Sequence, residues 1–190
     1  MKLLYTTITI ITITLLTIFP SPSKSFCEEA KIKNVIVTNT HKDLLVYFSV
    51  YGCFTKKIDE AILNGIPTTF TFFIKLYLPR SFWFDKAIAS VTVKHTIAYD
   101  NLKDEFRVTL DSKGKKEVVL RDLWEAKNVM SEVDEVTVVP MSSLEKKNKY
   151  YLKIKAELDT IKLPFFLDYV LFFVSLWDFE TAWHREFFTY

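Results

Sequence analysis

The chain has 190 residues, 25 basic and 23 acidic side chains and a formal net charge of +2. Lys2 and Lys24 are the only charged residues of the first 25, so residues 26–190 balance at 23 basic against 23 acidic and lack the basic excess of a nucleic-acid binder. Only three glycines occur, Gly52, Gly65 and Gly114. Phosphate-cradling loops, dinucleotide fingerprints and nucleophile elbows each need several at fixed spacing, so all three are excluded.

Met1-Lys2 precedes an uncharged run from Leu3 to Phe19, and Pro20-Ser-Pro-Ser-Lys-Ser25 breaks it with small residues at Ser23 and Ser25. This is the pattern of a secretory signal peptide over 1–25, cut after Ser25. The other reading is an uncleaved anchor, since 17 uncharged residues sit at the lower edge of a helical span. Either way the chain is expected to be exported to the periplasm, soluble or tethered to the inner membrane, with residues 26–190 as one domain. Phe26, a bulky residue before Cys27, argues against lipidation of that cysteine. In an oxidising compartment Cys27 and Cys53 could pair, a bridge worth about 3 kcal/mol. The alternative is two unpaired thiols.

Residues 31–39 and 43–51 read as a hairpin, the second strand apolar on both faces. Thr55 caps a short helix that Gly65 and Pro67 close. Over 67–78, Phe70, Phe72, Ile74, Leu76 and Leu78 alternate with Thr69, Thr71, Lys75 and Tyr77, the period of a half-buried strand. Pro79-Arg80-Ser-Phe-Trp83 ends it. A strand over 87–99 with Val91, Val93, His95, Ile97 and Tyr99 inward leads by polar turns into strands over 105–110 and 117–120, an antiparallel meander. Asp122 and Glu125 open a second helix to Ser131, expected to bury Leu123, Trp124 and Met130. Strands over 135–139 and 149–158 follow. The expected class is mainly β, or β-rich α+β: an antiparallel two-sheet sandwich with two short helices.

The stretch Leu163–Trp183 is the most apolar of the mature chain and is expected to close the sandwich as an aromatic C-terminal segment. Lys162, Asp168 and Asp178 interrupt it too often for a bilayer span. Trp177 reads as core, and Trp183 as core or interface.

Candidate chemistry is sparse. His41, His95 and His184 show no metal-ligand spacing, and neither cysteine has a zinc or redox motif, so no metal or cofactor is expected. His95 reads as a hydrogen-bonded core residue. Asp178 and Glu180 form a carboxylate pair that could serve a hydrolase but read better as the wet side of the closing segment. Arg80, one of four arginines, stands beside Phe82 and Trp83, where it could stack on Trp83 and clamp an anionic group of a partner or lipid; the other reading is a structural cation–π contact or salt bridge. The lysines at 113, 115, 116, 146, 147 and 149 read as solvated turns. No catalytic constellation is present. The interaction candidates are Arg80, Trp83, Trp177 and Trp183, with a membrane protein or lipid as partner; the alternative is a carrier holding an apolar ligand between the sheets.

Several short motifs stand in order: Asn64-Gly65-Ile66-Pro67 ahead of a strand, Arg80 with Trp83, and Tyr99-Asp100-x-Leu102 ahead of Phe106. They continue with Tyr151-Leu-x-Ile-x-Ala-x-Leu158, Leu163-Pro164, and Trp177 with Trp183. In these the chain resembles the domain of unknown function family 4390, short exported bacterial proteins, departing from it at Phe106 where tyrosine is expected. The resemblance implies a single-domain envelope protein without an established activity. The resemblance also implies a membrane sensor kinase encoded nearby, a hint of partnership and no more.

Overall fold

The computed structural model describes residues 30–112, 114–159 and 179–190. The expected signal peptide over 1–25, Cys27, Lys113, the stretch Leu163–Phe173, Trp177 and Asp178 lie outside them.

The first hairpin joins β1 (Lys31–Asn39) to β2 (Asp43–Tyr51). Its turn is held by Thr40, whose hydroxyl accepts the Asp43 N–H at 2.9 Å. In α1 (Lys56–Leu63) Thr55 caps the first turn by accepting the Ile58 N–H at 3.4 Å. Gly65 ends that helix at φ +76°, a left-handed conformation that costs glycine nothing. Then come β3 (Thr68–Leu78), β4 (Lys86–Asp100), β5 (Glu105–Leu110) and β6 (Lys116–Leu120). Asp122 caps α2 (Leu123–Ser131) through the Glu125 N–H at 2.9 Å. The described chain finishes with β7 (Glu132–Pro140), β8 (Lys149–Leu158) and β9 (His184–Thr189).

All pairings of these strands are antiparallel. One sheet has three strands in the order β1-β2-β7, the other six in the order β6-β5-β4-β3-β8-β9. The three-stranded sheet lies over one half of the larger sheet, with β1 against β8 and β9 and β7 against β4, while α2 covers β4, β5 and β6. The mainly β, two-sheet architecture is therefore as the sequence pattern predicts, and the helices finish the cover that the smaller sheet leaves open.

The alternation of β3 sets the core. Phe70, Phe72, Ile74 and Leu76 are wholly buried between the sheets, beside Ile97, Val108, Leu152, Ile154 and Ala156. The Phe72 ring meets Phe48 of β2 edge-to-face at 5.8 Å, joining the two sheets. Phe70 is flanked by Phe54 at 5.2 Å and Phe179 at 5.5 Å, so the described end of the aromatic C-terminal stretch does enter the core.

Three expectations are corrected. Trp124 is 70% exposed, because α2 turns Ala126 and Met130, four residues apart, to the core and puts Trp124 off that stripe. β7 begins at Glu132, directly after α2, without a separating turn. His184–Thr189, unassigned from sequence, is an edge strand on β8.

Cys53 carries a free, buried thiol whose Sγ donates to the Val50 carbonyl at 3.5 Å; Cys27, its partner in the expected bridge, lies outside the described residues. Burial pushes the Cys53 pKa up to about 12, which suppresses the thiolate that alkylating agents attack. In the native protein at pH 8, iodoacetamide is expected to leave Cys53 unlabelled, with full labelling once guanidinium unfolds the chain without reductant. Rapid native labelling, or protection that survives unfolding, would contradict the buried free thiol.

Candidate interaction surface

The β3–β4 hairpin brings the aromatic run at its tip into solvent. Phe82, Trp83 and Phe84 are 99%, 75% and 86% exposed, and the only ring contact among them is Trp83 against Phe84 at 6.4 Å. The base of the tip is fixed. Asp85 accepts the Arg80 N–H at 3.2 Å through Oδ1 and the Tyr151 hydroxyl at 2.5 Å through Oδ2. The Tyr151 hydrogen bond, with the Arg80 amide, holds the Asp85 carboxyl below the usual carboxylate range. Burial, reinforced by Asp85, pushes Tyr151 up to about 12. Arg80 uses its backbone in this loop. Among the described residues its guanidinium has no carboxylate partner and does not lie over Trp83.

Behind the tip, register builds two rows across the outward face of the six-stranded sheet. Tyr77 of β3 pairs with Tyr151 of β8, which pairs with Phe187 of β9; successive rings lie 5.3 and 5.4 Å apart. One step further from the tip, Lys75, Lys153 and Arg185 stand opposite one another on the same strands. Lys153 leans over Tyr77 at 5.4 Å and Arg185 over Tyr151 at 5.9 Å. Trp183 continues the face beyond the cations, 41% exposed, with Lys75 and Lys155 at 5.1 and 5.9 Å from its ring. The cation–aromatic role expected at Arg80 and Trp83 thus falls to Trp183. Phe187 is 64% exposed. A shallow concavity of about 350 Å³, lined by Lys75, Tyr77 and Ala87–Ser90, adjoins the tip.

Arg80 and Trp83 therefore stand at the hairpin tip and Trp183 on the outward face of the sheet behind it; Trp177 lies outside the described residues. Phe84 and the row Lys75–Lys153–Arg185 escaped the sequence reading. Exposure of a ring has no local signature, and the row joins residues from three separate stretches that only strand register brings together.

The candidate chemical groups are occupied otherwise. The His95 Nδ1 lies 3.0 Å from the Met130 carbonyl, which can only accept, so Nδ1 carries the proton and Nε2 accepts from the Ser112 hydroxyl at 3.3 Å. Burial pushes the His95 pKa below its ordinary value. Glu180 pairs with Lys155 at 2.7 Å, and His184 lies 3.5 Å from Glu186. Among the described residues no group of three His, Cys, Asp or Glu side chains is placed to hold a metal. A groove of about 290 Å³ lies between the end of β2 and α2, beside Tyr51, Phe54, Trp124 and Lys127.

The sequence pattern of a family described as a domain of unknown function, DUF4390, matches residues 28–186. The chain belongs to the DUF4390 family. No match was found among the curated proteins or the solved structures. Three of the motifs that carry the resemblance fall at structural joints, while Tyr151–Leu158 lies within β8. Asn64-Gly65 ends α1, Arg80 and Trp83 form the tip, and Tyr99-Asp100 turns β4 into β5, where Asp100 Oδ1 accepts the Leu102 and Lys103 N–H groups at 3.1 and 3.2 Å. Phe106, where the resemblance leads one to expect tyrosine, is buried and stacks on Tyr99 at 4.6 Å. No described helix of this DUF4390 chain is long and apolar enough to cross a membrane.

Proposed function

We propose that the chain is an exported, non-enzymatic binding module of the cell envelope. It works in the periplasm, either freed from its leader or tethered by it, as an accessory to a membrane protein, with a membrane sensor kinase as the first candidate. The partner meets the tip that carries Arg80 and Trp83 and the sheet face behind it that carries Trp183. The observation that carries this reading is the exposure of Phe82, Trp83 and Phe84 at a tip whose base is pinned by Asp85. Three adjacent rings left in water are a standing cost that a partner removes, and aromatic and arginine side chains are the residues that dominate such contacts. The leader and the family resemblance support the compartment.

Affinity purification of the tagged full chain from detergent-solubilised envelopes tests it. The native chain is expected to retain an integral membrane protein, and the double variant Arg80→Glu, Trp83→Ala to retain at least about tenfold less of it. Recovery of the chain alone, or equal recovery with both, would sink the reading.

A further inference from the structure

We propose that the Arg80–Lys86 tip and the cationic row behind it form a docking surface for an anionic phospholipid bilayer, the rings of Phe82, Trp83 and Phe84 entering the interfacial layer. The inference concerns the same face as the proposed function, but does not require a protein partner.

Three independent features converge on one ligand chemistry. The tip offers three consecutive rings, nearly free of protein contact, between Arg80 and Lys86. Aromatic side chains gain most at the boundary between headgroups and acyl chains, where the ring leaves water and basic neighbours stay beside the phosphates. Next, Lys75, Lys153 and Arg185 stand in direct register on three adjacent strands. Like charges opposite one another repel. Among the described residues none of the three forms an ion pair with a carboxylate, and only Asp85 acts on Lys153 and Arg185, at longer range. The carboxylates on this side are committed: Asp85 to Tyr151, Glu157 and Glu180 to Lys155, Asp159 to Lys94. A surface of negative headgroups would neutralise the row, whereas a neutral or basic partner would not. Finally, the tip is pre-organised. Asp85 ties its base to Tyr151, which stacks on Tyr77 and meets Phe187 at a tilt, so entry orders little chain. The tip and row carry both the apolar and the electrostatic element that stable peripheral attachment needs together.

The test is co-sedimentation of the full chain with vesicles of phosphatidylcholine, with and without one quarter phosphatidylglycerol, at low and high salt. Native protein is expected to bind the anionic vesicles at least about tenfold more strongly than the neutral ones, and to lose most of that preference in high salt. Two variants separate the elements. Phe82→Ser, Trp83→Ser, Phe84→Ser removes the rings, and Lys153→Glu, Arg185→Glu reverses part of the row; all these positions lie at the surface, and near-ultraviolet circular dichroism checks the fold. Each is expected to weaken anionic-vesicle binding at least about tenfold. Undiminished binding by both variants would assign attachment to the leader or the 160–178 stretch and overturn the proposal, as would equal binding to neutral vesicles. Loss of self-association in the ring variant, with no vesicle binding by the native chain, would assign the face to a second copy of the chain. If native protein binds neither vesicle yet retains a membrane protein in detergent, the lipid inference fails while the binding-module reading stands.

Discussion

Phe72→Ala is expected to cost about 4 kcal/mol of stability, a large part of what a domain of this size possesses. Phe72 is wholly buried at the middle of the central strand β3 and touches three rings: Phe48 across the sheets at 5.8 Å, Phe70 at 6.5 Å and His95 at 5.0 Å. Phe70 and Ile74, its neighbours on the same face of the strand, are themselves at zero exposure, so the surroundings have little room to collapse into the void. Urea unfolding followed by circular dichroism measures the loss. A cost below about 1 kcal/mol would mean that the two sheets do not meet through this ring.

Next in size is His95. Its alanine variant is expected to lose about 3 kcal/mol, because it empties a buried ring site and leaves the Met130 carbonyl without its donor. The side chain also gives the fold an acid sensitivity whose sign follows from its burial. The folded pKa lies below the ordinary value, chiefly through desolvation, against the raising influence of the Met130 hydrogen bond and of Asp134 and Asp111. The unfolded chain therefore takes up a proton as pH falls through about 6.5, while the folded chain does not. Stability from this group is complete above that value and is lost as pH falls toward the folded pKa. Urea midpoints at pH 7.5 and 5.5 should fall more steeply for the native chain than for His95→Phe, which keeps a ring but cannot titrate. Equal falls would show that His95 does not set the acid response.

Much of the fold could be read in advance because its periods are clean. In Thr68–Leu78 every second residue is large and apolar, and Thr55, Gly65 and Asp122 mark helix ends by known local chemistry. The failures are equally physical. β9 carries His184, Glu186 and Phe188 toward one side and Arg185, Phe187 and Thr189 toward the other, so neither face of this edge strand is uniformly apolar and no period of two emerges. Trp124 was misplaced because residue type outweighed helical phase. The interaction surface was half legible. Arg80 and Trp83 stand out as rare residues in a break, whereas the cationic row depends on pairing Lys75 with Lys153 and Arg185, and no local window spans that distance.

The claim that function resides on the tip side of the six-stranded sheet is tested most directly by photo-crosslinking in living cells. A benzoyl-phenylalanine would be placed at position 83 in one strain and at position 124, equally well exposed on α2, in another. The expected result is an adduct with an envelope component, protein or lipid, from position 83 and none from position 124. Adducts from 124 alone, or none from 83, would contradict the account and move the functional surface away from the tip.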